Sequence, residues 1–302
     1  MRATLTGQQH FFSTKLRQTT PSTRTLMDSL NESGFLSPSM DLWIEKHRRT
    51  YSIWFTFVTE INRISQRLML ALAPPKNDWH RLSTSLVFGR VVSHFQAVVL
   101  LIERGMMPEA RSLLRSLLEA TFTVVAIAKN VHVAQEWYDD ELLQRKKRVS
   151  SFRQLPLALR ALHGIDVQTI DAKIVELEAE ISKQNAKKLT TEYLAQQAGM
   201  LDYYNTLYVL LSSSSHSRIA DFEDHIAVDA RDNFVGMRWG PDVTGLDDLL
   251  YPASELLLTS AQEAATLFDL KLHCDEIRLA WVRYAELHKL LEEQERATST
   301  KA

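Results

Sequence analysis

Glycine, proline and cysteine are all scarce in this chain of 302 residues, which contains nine, eight and one of them respectively. Strands and tight turns need glycine and proline at their many corners, so this scarcity argues against an all-β fold. The single cysteine, Cys274, excludes an internal disulfide and a cysteine-rich zinc site, and it fits a reducing compartment such as the cytoplasm. A formal net charge of −2 argues against a nucleic-acid-binding surface that covers the whole protein.

Long apolar runs are also missing. The best candidate for a membrane span, residues 91–102, is interrupted by His94 and Gln96. We therefore expect no membrane span and no membrane partner, and no secretory signal because the first residues lack an apolar segment. Residues 1–37 are expected to form a flexible arm, whose first 27 residues are weakly basic and contain no acidic residue. A transit peptide is the alternative interpretation of this arm.

The sequence motifs of common enzymes are absent. The chain has no G-x-G-x-x-G, Walker loop, G-x-S-x-G, H-E-x-x-H or C-x-x-C motif. It also lacks the Glu-x-x-His pair that builds di-iron sites in helical bundles. These absences argue against most nucleotide hydrolases, acyl transferases and zinc hydrolases, and we expect neither a cofactor nor a bound metal.

Apolar residues recur at helical spacing through most of the chain. The pattern predicts an all-α, multi-helix bundle with long antiparallel helices as a single domain over residues 38–294, followed by a frayed tail at 295–302. A short turn at Gly105, with Pro108 opening the next helix, joins two of these helices into a hairpin. The predicted helices are 39–73, 78–104, 108–130, 132–162, 171–184, 201–216 and 247–273, the last extending as far as 294. Residues 226–245 contain proline and three glycines and suggest a loop or short β-hairpin.

A stripe of three charges crosses the otherwise apolar helix at 108–130. Arg111, Arg115 and Glu119 follow one another at four-residue intervals along the edge of its apolar face. The simplest interpretation is a solvated salt bridge between Arg115 and Glu119, which contributes a few tenths of a kcal/mol. Arginine precedes glutamate here, which is the less favourable order against the helix dipole, so helix stabilisation alone is a weak reason for the pair.

Two other helices carry polar residues beside apolar faces. His94 has apolar neighbours in the helix at 78–104, and Tyr204, Tyr208, Ser212 and His216 form a ladder along the helix at 201–216. A buried charge is tolerated only when it is paired and hydrogen-bonded, so we predict that Arg115 and Glu119 face this ladder, with His94 close by. Replacing Arg115 by alanine is then expected to destabilise the protein by roughly 2–4 kcal/mol.

Two stretches of sequence carry a resemblance to a known family. One is "ERGMMPEARSLLRSLLEA", which contains Arg115 and Glu119, and the other is "YYNTLYVLLSSSSH", which ends at His216. Together they resemble a helical bacterial family of unknown function, numbered 5677, over about residues 80–270. The resemblance implies a bacterial host, and it implies that the charged stripe with Arg115 and Glu119 and the tyrosine ladder lie together. It implies no activity.

Two classes of function remain open. The first is a binding or structural module whose polar cluster is architectural or holds a small anionic ligand. The second is a metal-independent ribonuclease similar to the helical toxin and antiphage-defence nucleases of the HEPN superfamily. In that mechanism His216 is the acid or base, Arg115 and Arg111 clamp the phosphate of an RNA, and Glu119 orients them. A literal Arg-x(4–6)-His match also runs from Arg218 to His225.

A variant of these hypotheses is a metal site built from His94, His216 and Glu119. The basic run at 145–148 is interpreted as a solvated helix face in preference to an RNA-binding patch. We also expect a homodimer, because the first predicted helix carries more aromatic surface than one packing face needs. The aromatic residues concerned are Trp43, Tyr51, Trp54 and Phe55.

Overall fold

The computed structural model describes residues 30–162, 164, 166–214, 226–229, 231, 233–237 and 239–299. Helices make up 81% of this part of the chain, together with one small antiparallel sheet, so the predicted all-α bundle is confirmed. Residues 30–33 are helical and lead through a 3₁₀ turn, Gly34–Leu36, into the first long helices. The helices are α1 (Met40–Thr50), α2 (Ser52–Ala71), α3 (Trp79–Glu103), α4 (Met107–Lys129), α5 (Val131–Arg153), α6 (Leu157–Leu162), α7 (Val167–Gln184), α8 (Thr191–Ala198), α9 (Leu201–Tyr203), α10 (Val209–Ser214), α11 (Leu246–Leu267) and α12 (Lys271–Ser299).

The predicted hairpin of α3 and α4 is confirmed and forms the centre of the molecule. Asp78 caps α3 by accepting a hydrogen bond from the backbone N–H of Arg81 at 2.9 Å. Gly105 makes the turn with a φ of +71°, and its carbonyl accepts a hydrogen bond from the backbone of Asp242 at 3.0 Å. A Cβ atom on Gly105 would lie 2.7 Å from the Asp242 nitrogen and 2.9 Å from the Cα of Pro241, so both the conformation and the close approach require glycine here.

Helix α4 buries 12 of its 23 residues and packs against α3, α11, α8 and α10. Its core face includes Leu114, Leu118 and Phe122, none of which has measurable exposure. Helices α2 and α12 pack against each other and against α11. Together they close the bundle on the side of α3 and α11 that faces away from α4. Burial of these apolar faces supplies the main free energy of folding.

Helices α5 and α7 form an arm with α6 near its tip. The sequence predicted one helix over 132–162, but the chain leaves the helix after Arg153 and starts α6 behind Pro156, which lacks the N–H that a continuous helix needs. The arm has its own buried positions, Leu142, Ile170 and Leu177, which lie outside the main core cluster.

Two further predicted helices are divided by breaks in the backbone. The first breaks at Tyr51, whose φ of −106° and ψ of 36° separate α1 from α2. The last breaks at residues 268–270, where Asp269 has a φ of +54°. Helix α12 then continues to Ser299, beyond the expected start of the frayed tail. The predicted flexible arm at 1–37 lies largely outside the described residues.

The expected β-hairpin is confirmed within residues 226–245. Strands β1 (Ile226–Val228) and β2 (Phe234–Met237) pair antiparallel, with Ile226 opposite Met237 and Ala227 opposite Gly236. After β2 the chain runs through Pro241 and Asp242, past the turn at Gly105, and into α11. This path fixes the start of α11 beside the α3–α4 turn.

Within the described part of the chain, α3 is the one helix long and apolar enough to cross a membrane. Length and composition are the only basis for this, and core helices of soluble proteins meet the same criterion. The buried residues of α3, among them Phe88, Val91 and Phe95, pack into the core made with α4 and α11.

Candidate functional site

The predicted contact between Arg115 and the tyrosine ladder is present. Nη2 of Arg115 donates a hydrogen bond to the hydroxyl of Tyr208 at 2.8 Å, and the guanidinium carbon lies 4.8 Å from the centre of the same ring. The segment from α8 to α10 runs antiparallel to α4, because Lys129 at the far end of α4 donates to the carbonyl of Ala198 at 2.9 Å. Arg115 therefore joins two helical elements by a hydrogen bond and a cation–π contact.

Glu119 stands one helical turn after Arg115, with its Oε1 3.4 Å from Arg115 Nη2. Well-formed charge-assisted hydrogen bonds are shorter, about 2.7–2.9 Å, so this contact is loose. The side chain of Arg115 is 20% exposed and that of Glu119 is 40% exposed. Arg115 is thus mostly buried and Glu119 lies on its solvent side, so Glu119 is less buried than the sequence analysis assumed.

His94 projects from α3 toward the same stretch of α4. Burial is the main cause that lowers the pKa of His94 below the ordinary histidine value, and the positive charge of Arg90 lowers it further. A backbone hydrogen bond at Ser116 and the negative charge of Glu119 act in the opposite direction. Nδ1 of His94 and Nε of Arg115 are both buried and have no hydrogen-bond partner among the described residues.

The other predicted site residues lie elsewhere or outside the described residues. The Ser212 hydroxyl donates to the carbonyl of Tyr208 at 2.7 Å, so it is bonded within its own helix. The guanidinium of Arg111 lies beside Gly245 at the start of α11, one turn along α4 from Arg115. His216 lies outside the described residues, as does the match from Arg218 to His225, so the structure does not place them.

The tyrosine ladder begins with an irregular helical turn that the sequence did not predict. Residues Tyr204–Tyr208 form a π-helical turn between α9 and α10. Within it the rings of Tyr204 and Tyr208 stack, with centres 5.0 Å apart and planes 17° from parallel. Such turns are rare and occur frequently at functional sites. This one presents Tyr208 to Arg115.

A second polar cluster, which sequence reasoning missed, lies between α9, α11 and α12. The hydroxyl of Tyr284 lies 3.3 Å from Oε2 of Glu255 and 3.4 Å from the carbonyl of Tyr251. Burial raises the pKa of Tyr203, and its hydrogen bond to Glu255 raises it further. Burial likewise raises the pKa of Tyr284. Each of these residues has the helical spacing of an ordinary core position, so only the tertiary packing reveals the cluster.

The aromatic surface that led us to expect a homodimer is largely internal. Trp54 and Phe55 are 2% and 3% exposed, and the indole N–H of Trp54 donates to Asp247 at the start of α11. These two side chains are therefore unavailable to a second copy of the chain. Self-association itself stays a prediction.

Among the described residues no three histidine, cysteine, aspartate or glutamate side chains are grouped so that they could hold a metal ion. The hypothetical set of His94, Glu119 and His216 includes a residue that the structure does not describe. A metal site of that composition therefore stays a hypothesis.

Comparison with known proteins identifies a family. No curated protein and no solved structure matches this chain. A model of a family described as "Family of unknown function (DUF5677)" matches residues 83–234, which is half of the chain and extends from α3 to β2. The match includes Arg115, Glu119 and the tyrosine ladder, the same residues that carried the resemblance. The chain belongs to the family of unknown function DUF5677.

Proposed function

We propose that this protein is a helical binding module that takes an anionic group, such as a phosphate or carboxylate, at Arg115 and Tyr208. The observation that carries the proposal is the hydrogen bond from Arg115 to the tyrosine hydroxyl. Because the oxygen of Tyr208 accepts this bond, its own hydroxyl proton remains available for donation. No described residue accepts that proton.

The hydrogen-bond donors of Arg115 outnumber the acceptors that the described residues offer them. A guanidinium has five N–H groups, whereas the described contacts of Arg115 use Nη2 alone. The loose contact to Glu119 already places one carboxylate against this guanidinium. An anion with better geometry would replace the half-exposed Glu119, which can turn into solvent at little cost. The exposed Arg90 adds positive charge near His94.

The ribonuclease hypothesis uses the same arginine as a phosphate clamp and His216 as acid or base. No described contact favours cleavage over simple binding. The experiment that tests the binding proposal therefore includes an RNA-cleavage assay, whose positive result would support the ribonuclease hypothesis.

The test is calorimetric titration of the purified protein with inorganic phosphate, with chloride at matched ionic strength as the reference. Tyr208→Phe removes the hydroxyl and keeps the ring that stacks on Arg115. Tyr204→Phe is the matched control, because Tyr204 stacks on Tyr208 without a hydrogen bond to the arginine. We expect Tyr208→Phe to weaken phosphate binding about fivefold or more, as loss of one hydrogen bond to an anion implies. Tyr204→Phe should leave the affinity unchanged.

Absence of phosphate binding by the unmodified protein would overturn the proposal, and so would equal affinities of the two tyrosine variants. The same preparations are incubated with single-stranded RNA in the presence of chelator. Cleavage that is lost in both Arg115→Ala and His216→Ala would show a ribonuclease and would replace the binding role.

A further inference from the structure

The tip of the arm exposes large apolar side chains. Leu157 and Leu162 are 74% and 76% exposed, and Phe152 and Leu159 are 45% and 44% exposed. All four lie within a stretch of eleven residues at the end of α5 and in α6. Single exposed leucines are common on protein surfaces, but a cluster of this kind marks an interaction site.

The same part of the arm is strongly basic. Residues 142–165 contain six basic side chains and no acidic one. The six are Arg145, Lys146, Lys147, Arg148, Arg153 and Arg160. At 1.5 Å per residue, the run at 145–148 begins about 12 Å along α5 from its last residue, Arg153. The exposed apolar side chains at the tip and the basic run at 145–148 are therefore close together.

Some of this positive charge is compensated by neighbouring acids, but part of it is not. Lys146 pairs with Glu178 at 2.7 Å, and Arg153 pairs with Asp171 at 3.2 Å. Arg148 pairs with Glu141. Arg145 and Lys147 are exposed and have no carboxylate partner among the described residues. The surface around the exposed leucines thus keeps an excess of positive charge.

We infer that the tip of the arm binds an anionic lipid surface. Aliphatic side chains that enter the interface, surrounded by lysine and arginine that meet the headgroups, are the combination by which peripheral proteins bind such membranes. A second copy of this tip would bring one positive surface against another. RNA would neutralise the basic residues and leave the leucines exposed, since Phe152 is the one phenylalanine, tyrosine or tryptophan in residues 142–165 that could stack on a base.

The test is co-sedimentation of the full chain with vesicles of phosphatidylcholine alone and with vesicles that also contain phosphatidylglycerol. We expect binding to the anionic vesicles only, and we expect it to weaken as salt is added. The double substitution Leu157→Ser and Leu162→Ser should weaken binding at least about tenfold. The control replaces Leu70 and Leu272 by serine, since these leucines are 81% and 80% exposed on α2 and α12, away from the arm.

A second pair of variants tests the charge. Arg145→Glu with Lys147→Glu should abolish binding, whereas Arg63→Glu with Lys289→Glu makes the same change of charge on exposed positions of α2 and α12 and should preserve it. No binding to anionic vesicles, or binding that both arm variants retain, would overturn the inference. So would a change from dimer to monomer in the leucine variant without vesicle binding, since a second copy would then cover the tip. An RNA gel shift that depends on Arg145 and Lys147, again without vesicle binding, would overturn it in favour of RNA.

Discussion

The two helical hairpins of this protein have the same design and very different interiors. Helix α4 of the central hairpin buries 12 of its 23 residues, while α5 of the arm buries four of 23. The central hairpin is held by apolar packing on several neighbours, and the arm by a few buried leucine and isoleucine side chains and exposed ion pairs. Exposed ion pairs contribute little to the free energy of unfolding, and buried apolar area contributes much. The central hairpin should therefore determine the stability of the whole protein, while the arm should affect only the stability of the arm itself.

The largest effect is expected from alanine at Gly105. The substitution forces a left-handed conformation on a residue with a side chain and drives its Cβ into the backbone of Asp242 and Pro241. We expect a loss of more than about 3 kcal/mol in the free energy of unfolding, measured by urea denaturation. Gly164→Ala in the arm is the matched control, because Gly164 has a φ of +62° and no atom within 4 Å of the added Cβ. Gly164→Ala should lower the free energy of unfolding by about 1 kcal/mol, because only the conformational strain opposes it. Equal losses would show that the close approach at Gly105 does not matter.

Leucine truncation compares the two interiors directly. Leu118→Ala in α4 should lower the free energy of unfolding by about 3 kcal/mol, because Leu118 has no exposed surface. Leu177→Ala in α7 should instead increase hydrogen exchange within residues 131–184 while the main urea transition moves little. If Leu177→Ala lowers the main transition as far as Leu118→Ala does, the arm and the bundle unfold as one unit and the comparison fails.

A smaller effect is expected from Arg115→Ala. The sequence suggested a loss of roughly 2–4 kcal/mol, on the assumption that Glu119 would be left buried and unpaired. Because the Glu119 side chain is 40% exposed, water can solvate it, and we now expect about 1 kcal/mol from the lost contacts to Tyr208. Arg153→Ala in the arm breaks a pair that is 60% and 42% exposed and should cost a few tenths of a kcal/mol. If Arg115→Ala lowers the free energy of unfolding no more than Arg153→Ala does, the pair of Arg115 and Glu119 is an ordinary surface salt bridge.

The smallest effect concerns pH and the central hairpin. The lowered pKa of His94 means that the unfolded chain takes up a proton at His94 more readily than the folded protein does. Stability is therefore complete above the ordinary pKa of 6.5 and falls as the pH drops below it. His94→Gln should make the urea midpoint less sensitive to acidification, and Arg90→Gln should do so in part. Buried His47 acts in the same direction, so the comparison with the unmodified protein isolates His94. An unchanged pH dependence in both variants would contradict this.

The sequence predicted the central hairpin well because its limits are marked by residues with strong local preferences. Gly105 and Pro108 punctuate an otherwise regular apolar pattern, and the glycines of residues 226–245 mark the β-hairpin. The breaks at Tyr51 and Asp269 have no such marker, and the apolar periodicity continues across both. Backbone conformation there is set by how the flanking helices pack, which a local pattern does not contain.

The two polar clusters show the same limit. Arg115 and Tyr208 were predictable because each sits in a ladder at the edge of an apolar face, and antiparallel helices bring such edges together. Tyr203, Glu255 and Tyr284 come from three distant elements and share no ladder, so nothing in the sequence connects them. The π-helical turn was equally invisible, since none of its five residues is an unusual one for a helix.

That turn accommodates one extra residue without changing the phase of the helix on either side of it. A π turn carries one residue more than the α-helical turn it replaces, so deleting one residue from 204–207 would restore a continuous α-helix with the same ends. Tyr203 and Tyr208 lie at those two ends, so the deletion would keep the hydrogen bonds to Glu255 and Arg115 and would change the interior of the turn, where Tyr204 stacks on Tyr208. In evolutionary terms, this is a position where the chain can gain or lose one residue while the rest of the bundle keeps its length.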